Sequence, residues 1–195
     1  MAFRTLSLSL VMLLALGLFL ALPWLFAATS QSGFYGVPVR AEAPELIHNG
    51  RDLLVDHDSP ASIVFFGYKG CADACPRQLV NTMKLQKRMA GHDLRFLFVS
   101  LAPERVSAQE LDRWLESMGD GFMGFRPDSA REARDLVRAF GGRSTNSGAE
   151  RQRRFSHTAN LHVVTPDGVR RLIYTGVALD LDRVEQDLER LIASQ

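Results

Sequence analysis

Residues 62–76 constrain the fold more tightly than any other stretch of the chain. The run Ser-Ile-Val-Phe-Phe at 62–66 carries no charge and reads as a short strand buried on both faces. Gly67 and Gly70 then turn the chain. Pro76 opens a helical pattern, at a position where a proline's missing N–H costs nothing. Between the turn and the helix stand Cys71 and Cys75, the only two cysteines among 195 residues. This order places both thiols at the positive end of a helix dipole, which favours the thiolate. A thiolate is both a nucleophile and a soft metal ligand, and the rest of the sequence has to choose between those uses.

The charge balance is close to even, 23 basic against 22 acidic side chains, and gives no reason to expect nucleic acid as a partner. Residues 6–28 form an uncharged apolar run broken only by Ser7, Ser9, Gly17 and Pro23. At about 1.5 Å per residue such a run crosses a bilayer core of roughly 30 Å. It is longer than the apolar region of a cleavable signal peptide, and the exit Trp-Leu-Phe-Ala-Ala at 24–28 fits a cleavage site poorly. The expectation is a transmembrane anchor, or signal sequence, over 1–29. Trp24 suits the interface, and Arg4 points to a cytoplasmic N-terminus. That topology puts a single-pass protein in the inner or cytoplasmic membrane, with its globular part on the exported, periplasmic-type side. Residues 30–44 read as a linker. Residues 45–195 suit one domain. A disulfide between Cys71 and Cys75 would close so short a loop that its entropic effect is small, so a purely structural staple explains the pair poorly.

Along the domain, apolar residues Leu79, Val80, Met83 and Met89 follow Pro76 in a helix expected to end at Gly91. Residues 94–101 read as a second central strand. Ser107 with Glu110, and Ser129 with Glu132, have the spacing of capping boxes. The first precedes the stripe Leu111, Trp114, Leu115 and Met118, read as core; the second precedes Ala133, Leu136, Val137 and Phe140, a helix stopped by Gly141. Residues 142–154 read as a polar loop. Residues 161–165 and 169–175 form two antiparallel strands about a Pro-Asp-Gly turn at 166–168. Asp180 can cap a last helix carrying Leu181, Val184, Leu188 and Leu191. The order strand, helix, strand, helix, helix, hairpin, helix predicts an α/β thioredoxin-like three-layer sandwich with a mixed sheet.

Two thiolates at i and i+4 can point to one side of a turn entering a helix, and one imidazole would complete a three-coordinate soft site. Of five histidines, His48 and His57 lie in the irregular approach to the first strand, and His92 at a helix end suits a solvated role. Strand alternation puts His162 on one face with Asn160 and Val164, and His157 on the other face with Leu161 and Val163. Spacing alone leaves a structural role open for either.

The stretch at 65–76, Phe-Phe-Gly-Tyr-Lys-Gly-Cys-Ala-Asp-Ala-Cys-Pro, resembles the signature of the Sco/SenC family of copper chaperones. His157-Thr-Ala-Asn-Leu-His-Val-Val-Thr-Pro-Asp-Gly is similar to that family's second motif, and Val99-Ser-Leu-Ala-Pro-Glu-Arg to a third. The resemblance covers residues 62–191. It implies a membrane-tethered protein of thioredoxin fold that holds one copper ion, Cu(I) or Cu(II), through Cys71, Cys75 and His157. The pair would form a Cys71–Cys75 disulfide when oxidised. The implied partner is a copper-accepting oxidase subunit or another metalloprotein client, because relatives help build the binuclear copper centre of cytochrome c oxidase. Soft thiolates suit Cu(I), and an imidazole lets the same site hold Cu(II). Asp73, between the thiols, reads as a capping or supporting group.

The sequence departs from the family pattern at Ala102 and Val106, which replace aspartates, at Ser156, which replaces an acidic residue, and at His162, where tyrosine is common. The segment before residue 62 is short and shows no clear hairpin. The main rival function is a thiol–disulfide reductase, with Cys71 attacking from the exposed turn and Cys75 resolving. A peroxidase would need positive charge beside the thiolate, for which Lys69 is the candidate. Zinc bound by Cys71, Cys75, His157 and a water is also stereochemically reasonable. Arg151-Gln-Arg-Arg154 reads as a solvated loop or a docking patch for an acidic partner. The loop 142–154 could carry His157 towards the cysteines.

Overall fold

The computed structural model describes residues 33–55, 58–71, 74–147, 154–157 and 159–195, together with isolated positions 12, 17 and 19; for 144–147 and 154–157 it describes the backbone alone. The chain divides into two units, Met1–Phe34 and Tyr35–Gln195. In the first, positions 12, 17 and 19 are helical, and the rest of the expected anchor lies outside the described residues. Among the described residues no helix is long and apolar enough to cross a membrane.

The second unit is built on a six-stranded mixed sheet in the order β1-β10-β9-β4-β5-β6. Here β1 is Val37–Glu42, β4 Ser62–Gly67, β5 Arg95–Ser100, β6 Phe122–Phe125, β9 Leu161–Val164 and β10 Val169–Tyr174. β4, β5 and β6 run parallel; β9, β10 and β1 are each antiparallel to the neighbour before them. Every residue of β4 is buried, as the uncharged run requires of a central strand covered on both faces. Two short ribbons complete the strands: β2 (Ile47–His48) with β3 (Arg51–Asp52), and β7 (Ser144–Ser147) with β8 (Arg154–His157).

Four helices follow: α1 (Ala74–Arg88), α2 (Ala108–Glu116), α3 (Ala130–Ala139) and α4 (Leu181–Ala193). Phe65 and Phe98 pack edge to face at 5.1 Å on one side of the sheet, where Trp114 of α2 joins them at 5.3 Å. On the other side Phe66, Leu97 and Val99 meet Leu136, Val137 and Phe140 of α3, with Leu46 and Leu54 flanking the β2–β3 ribbon. The sandwich is the expected one, and the capping chemistry agrees. Ser107 N donates to Glu110 Oε2 (2.9 Å) and Glu110 N to Ser107 Oγ (3.3 Å), a complete capping box. The second box is half made: Glu132 N donates to Ser129 Oγ, but the Glu132 carboxylate accepts from Asp128 N instead of Ser129. Asp180 Oδ1 accepts from the N–H groups of Asp182 and Arg183.

Four local expectations are corrected. Part of the stretch read as a linker, 30–44, is strand β1, because backbone pairing with β10 needs no apolar alternation at an exposed edge. β6 was not foreseen; its Phe-Met-Gly-Phe is short, and Gly124 is there because a Cβ would lie 2.7 Å from Leu111. The buried stripe of α1 runs Cys75, Gln78, Thr82 and Leu85, one position off the expected Leu79–Met83 face, so that Val80 is left 47% exposed. The segment 142–154, read as loop, holds the whole of strand β7 and the first residue of β8, its partner in the ribbon.

A buried carboxylate fastens the edge strand. Asp187 of α4, 3% exposed, accepts from Tyr35 N (3.0 Å), Gly36 N (2.8 Å) and the Tyr174 hydroxyl (3.2 Å). Gly36 can carry no side chain there, since a Cβ would meet the Tyr174 ring at 2.7 Å. Burial, then the nearby carboxylate, pushes the Tyr174 phenol well above its usual range. Asp187→Asn, which replaces an acceptor by a donor facing N–H groups, should destabilise the domain by about 3 kcal/mol in denaturant unfolding. A loss under about 1 kcal/mol would mean that this clamp contributes little.

His162 lies on the face opposite the Leu161–Val163 pair, as alternation requires, between the rings of Phe140 (5.1 Å) and Phe66 (6.2 Å). It is 2% exposed, and its Nδ1 has no hydrogen-bond partner. Burial first, and the Arg170 charge second, lower its pKa to about 4. The unfolded chain, with an ordinary imidazole near 6.5, therefore binds more protons between pH 6.5 and 4. Stability is present above about 6.5 and is lost as pH falls towards 4, by about 3 kcal/mol from this group alone. His162→Phe should flatten that part of the stability curve, measured by urea unfolding at pH 7.5 and 4.5. An unchanged difference between the two pH values would exclude His162 as its source.

Candidate metal centre

β4 ends at Gly67 and Leu101 N closes on Gly67 O at 2.7 Å, so the strand stops beside the end of β5. The chain then turns: Cys71 N donates to Tyr68 O at 3.1 Å, and Gly70 adopts a positive φ of 87° that suits only glycine comfortably. The turn delivers Cys71, half-exposed, just before α1, and Cys75, 4% exposed, inside its first turn. The Cys75 sulfur packs onto the end of β4, where a Cβ on Gly67 would lie 3.0 Å from Sγ and 2.8 Å from the Phe98 ring. A side chain at position 67 would displace either the sulfur or an aromatic of the core.

The two thiols are not joined by a disulfide, and they lie within hydrogen-bonding reach of each other. Burial, then the hydrogen bond to Cys71, pushes the Cys75 thiol up to about 12. Here the expectation of a thiolate favoured by the helix dipole is corrected for Cys75: desolvation outweighs the dipole, and Cys75 is a protonated thiol at neutral pH. Cys75 S–H and the Tyr68 hydroxyl both donate to the Cys71 sulfur. Burial, then that hydrogen bond to Cys71, raises the Tyr68 phenol. Cys71 accepts both hydrogen bonds and is the more exposed of the two sulfurs.

Sequence reasoning missed the support around this pair. The Arg105 guanidinium sits 5.8 Å from the Tyr68 ring centroid. Arg126 Nε donates to the carbonyls of Pro103 (3.0 Å) and Val106 (2.8 Å), pinning the 3₁₀ turn Pro103–Arg105 that carries this cation. No local signal marks Arg126, because only the β5–β6 pairing brings it to that loop. Ala102 and Val106, at positions where the family pattern has aspartates, are buried apolar residues here (1% and 5% exposed). Gln78, buried in α1, donates through Nε2 to Ala159 O at 2.8 Å and ties the helix to the approach to β9. Lys69 shares a hollow with Glu110, Arg113 and Trp114, and its charge acts on the Glu110 carboxylate.

The structure therefore brings Cys71 and Cys75 together. His157 closes β8, its backbone paired with Ser144, and the position of its ring lies outside what is described. Asp73, His57 and Arg151 to Arg153 also lie outside the described residues. His48 pairs with Arg51 in the β2–β3 ribbon, and His92 follows α1, its N–H on Met89 O at 2.9 Å. Among the described residues no group of three histidine, cysteine or acidic side chains forms a metal site. Two adjacent sulfurs where β4 leads into α1 nevertheless fit a soft cation.

Comparison with known proteins agrees with this chemistry. A Stutzerimonas stutzeri protein, named provisionally as copper-binding, is 26% identical over 182 residues, covering 87% of this chain and 86% of its own length. The solution structure of apo Sco1 from Thermus thermophilus superposes with a TM-score of 0.63 at 26% identity, over 83% of this chain and 99% of that one. Arabidopsis thaliana ScoI, solved with copper bound, shares the fold at 20% identity and a TM-score of 0.63, over 82% and 99% of the two chains. The SCO1/SenC family model matches residues 54–193, which take in the dithiol turn, the Pro103–Arg105 loop and the β9–β10 hairpin, and the chain belongs to that family.

Proposed function

We propose that this chain is a copper chaperone that holds one copper ion between Cys71, Cys75 and His157 and passes it to the copper centre of cytochrome c oxidase or a like metalloprotein. The observation that carries the reading is the dithiol itself: two sulfurs in hydrogen-bonding contact, one half-exposed and one buried, at a junction with little room to move. Relatives known with copper, and the soft character of the donor pair, support copper over zinc. Cys71 meets the ion first, and Cys75 yields its proton as the ion is seated. His157 supplies the imidazole that allows both Cu(I) and Cu(II) to be held. The half-exposed Cys71 is also the sulfur from which an acceptor's thiol can draw the ion away. Residues 6–28 tether the domain to the cytoplasmic membrane, with the site on the exported side.

A reductase reading is favoured by one observation. The pair is unjoined but within hydrogen-bonding reach, with its half-exposed member on the side from which attack comes and its buried member behind it to resolve. The two readings part at His157, which a reductase does not need.

Anaerobic Cu(I) titration of the reduced chain should give one ion per protein, and Cys71→Ser or Cys75→Ser should abolish that stoichiometric binding. Changes to groups that only support a ligand already cost about 10–100-fold in metal affinity, so His157→Ala should weaken copper binding by at least about 100-fold. The same variant should keep wild-type rates of disulfide reduction in an insulin turbidity assay. Full copper affinity in His157→Ala would remove the histidine from the site, and stoichiometric copper in the Cys71→Ser chain would sink the reading.

A further inference from the structure

Beside the dithiol, α1 presents a surface that the metal site does not use. Its solvent side carries Arg77, Val80, Lys84 and Lys87, all exposed, at spacings that align side chains along one stripe of a helix. The helix holds no acidic residue. Arg88 is paired with Asp182 and Glu185 of α4, whereas Arg77, Lys84 and Lys87 make no ion pair with any described residue. Val80 forms one wall of a shallow groove of about 370 Å³ shared with Pro76, Arg77, Asn81 and Val177. That groove begins at the residue next to Cys75. Its far wall is fixed, because Asn81 Nδ2 donates to Val177 O (3.0 Å) and Gln78 Nε2 to Gly176 O (3.4 Å).

Val80, 47% exposed, gives the groove an apolar wall that one apolar side chain of a partner can cover, in the middle of a stripe of cations. The rim of uncompensated positive charge selects what that partner can be. We infer that the outer stripe of α1, with the Pro76–Val80–Val177 groove, is the docking surface for the protein that receives the metal, and that the segment it takes is acidic around a central apolar residue. The inference rests on the reading of Cys71 and Cys75 as the exchange site, and it names the chemistry of the partner there. An anionic bilayer would satisfy the cations, but it would lie across the mouth of the groove without filling it and would close off the sulfurs. A protein segment seats one side chain beside Val80 and leaves Cys71 facing the acceptor.

The probe is a fluorescent hexapeptide of five acidic residues around one leucine, titrated by anisotropy against the full chain in nanodiscs of neutral lipid. Arg77→Glu with Lys84→Glu should weaken binding about tenfold, Val80→Ser about threefold, and a lysine version of the peptide should not bind. All variants should keep one Cu(I) per chain, which shows that the fold and the site are intact. Equal peptide affinity in wild type and the double variant, or no binding at all, overturns the inference. Binding of vesicles containing phosphatidylglycerol that the double variant loses, without binding of the peptide, also overturns it and assigns the stripe to the membrane. A second arm measures copper transfer to the isolated copper-accepting domain of the oxidase. If the wild type transfers and the double variant transfers as fast at low salt, docking on α1 is excluded. If the wild type does not transfer, the oxidase reading fails, and the peptide still decides the docking surface.

Discussion

The contact between the Cys75 sulfur, the Cα of Gly67 and the Phe98 ring holds this molecule's chemistry in place. β4 must be fully buried to stand at the centre of the sheet, and its last residue must be glycine for the sulfur to lie against it. The same contact fixes the start of α1, because Cys75 is in its first turn. Burial that makes Cys75 a good packing residue also makes it a poor acid, pushed up to about 12. The helix dipole acts in the opposite sense, by a few tenths to about 2 kcal/mol, and is outweighed. The outcome is an asymmetric pair. One sulfur is stored as a thiol inside the domain, and the other is presented with two hydrogen bonds at the surface.

That asymmetry suits cargo that must be held and then released. A fully buried pair would bind a soft ion and surrender it slowly, and a fully exposed pair would lose it to any competing thiol. Here the exposed member gives access and the buried member gives a position defined by the core. The surrounding parts serve the same end. Arg126 fixes the loop that sets Arg105 over Tyr68, and Tyr68 donates to the exposed sulfur. None of these groups is close to another in sequence except Tyr68 and the cysteines. Only the parallel pairing of β4, β5 and β6 assembles them.

The sequence announced its sandwich through signals that depend on local chemistry. An uncharged run gave β4, a serine–glutamate spacing gave the start of α2, and a Pro-Asp-Gly turn gave the β9–β10 hairpin. Non-local signals went unread. β1 alternates exposed and half-buried residues on an edge, and what holds it is Asp187, some 150 positions away. The face of α1 was misjudged by one position because polar Gln78 and Thr82 are buried there, each with its hydrogen bonds met, while Val80 is not. Polar residues satisfied inside a core defeat a reading based on hydrophobic spacing. In the candidate site, the cysteine pair could be read directly. The ionisation of Cys75 could not, because it depends on how deeply the fold buries one sulfur.

The third expected ligand belongs to a different kind of element. His157 ends β8, and the β7–β8 ribbon pairs with itself and not with the six-stranded sheet. A two-stranded ribbon has little stability of its own in water, so its geometry answers to whatever it packs against. The dithiol, by contrast, is tied to β4 and β5 in the middle of the six-stranded sheet. A ligand set divided in this way has one half fixed by the core and one half on a ribbon outside the sheet. The energy of closing the second half on an ion is subtracted from the affinity of the whole site. In the proposed copper-carrier function that subtraction would ease transfer: with all three proposed ligands engaged binding would be tight, and once His157 let go an acceptor would have to outbid only the pair of sulfurs.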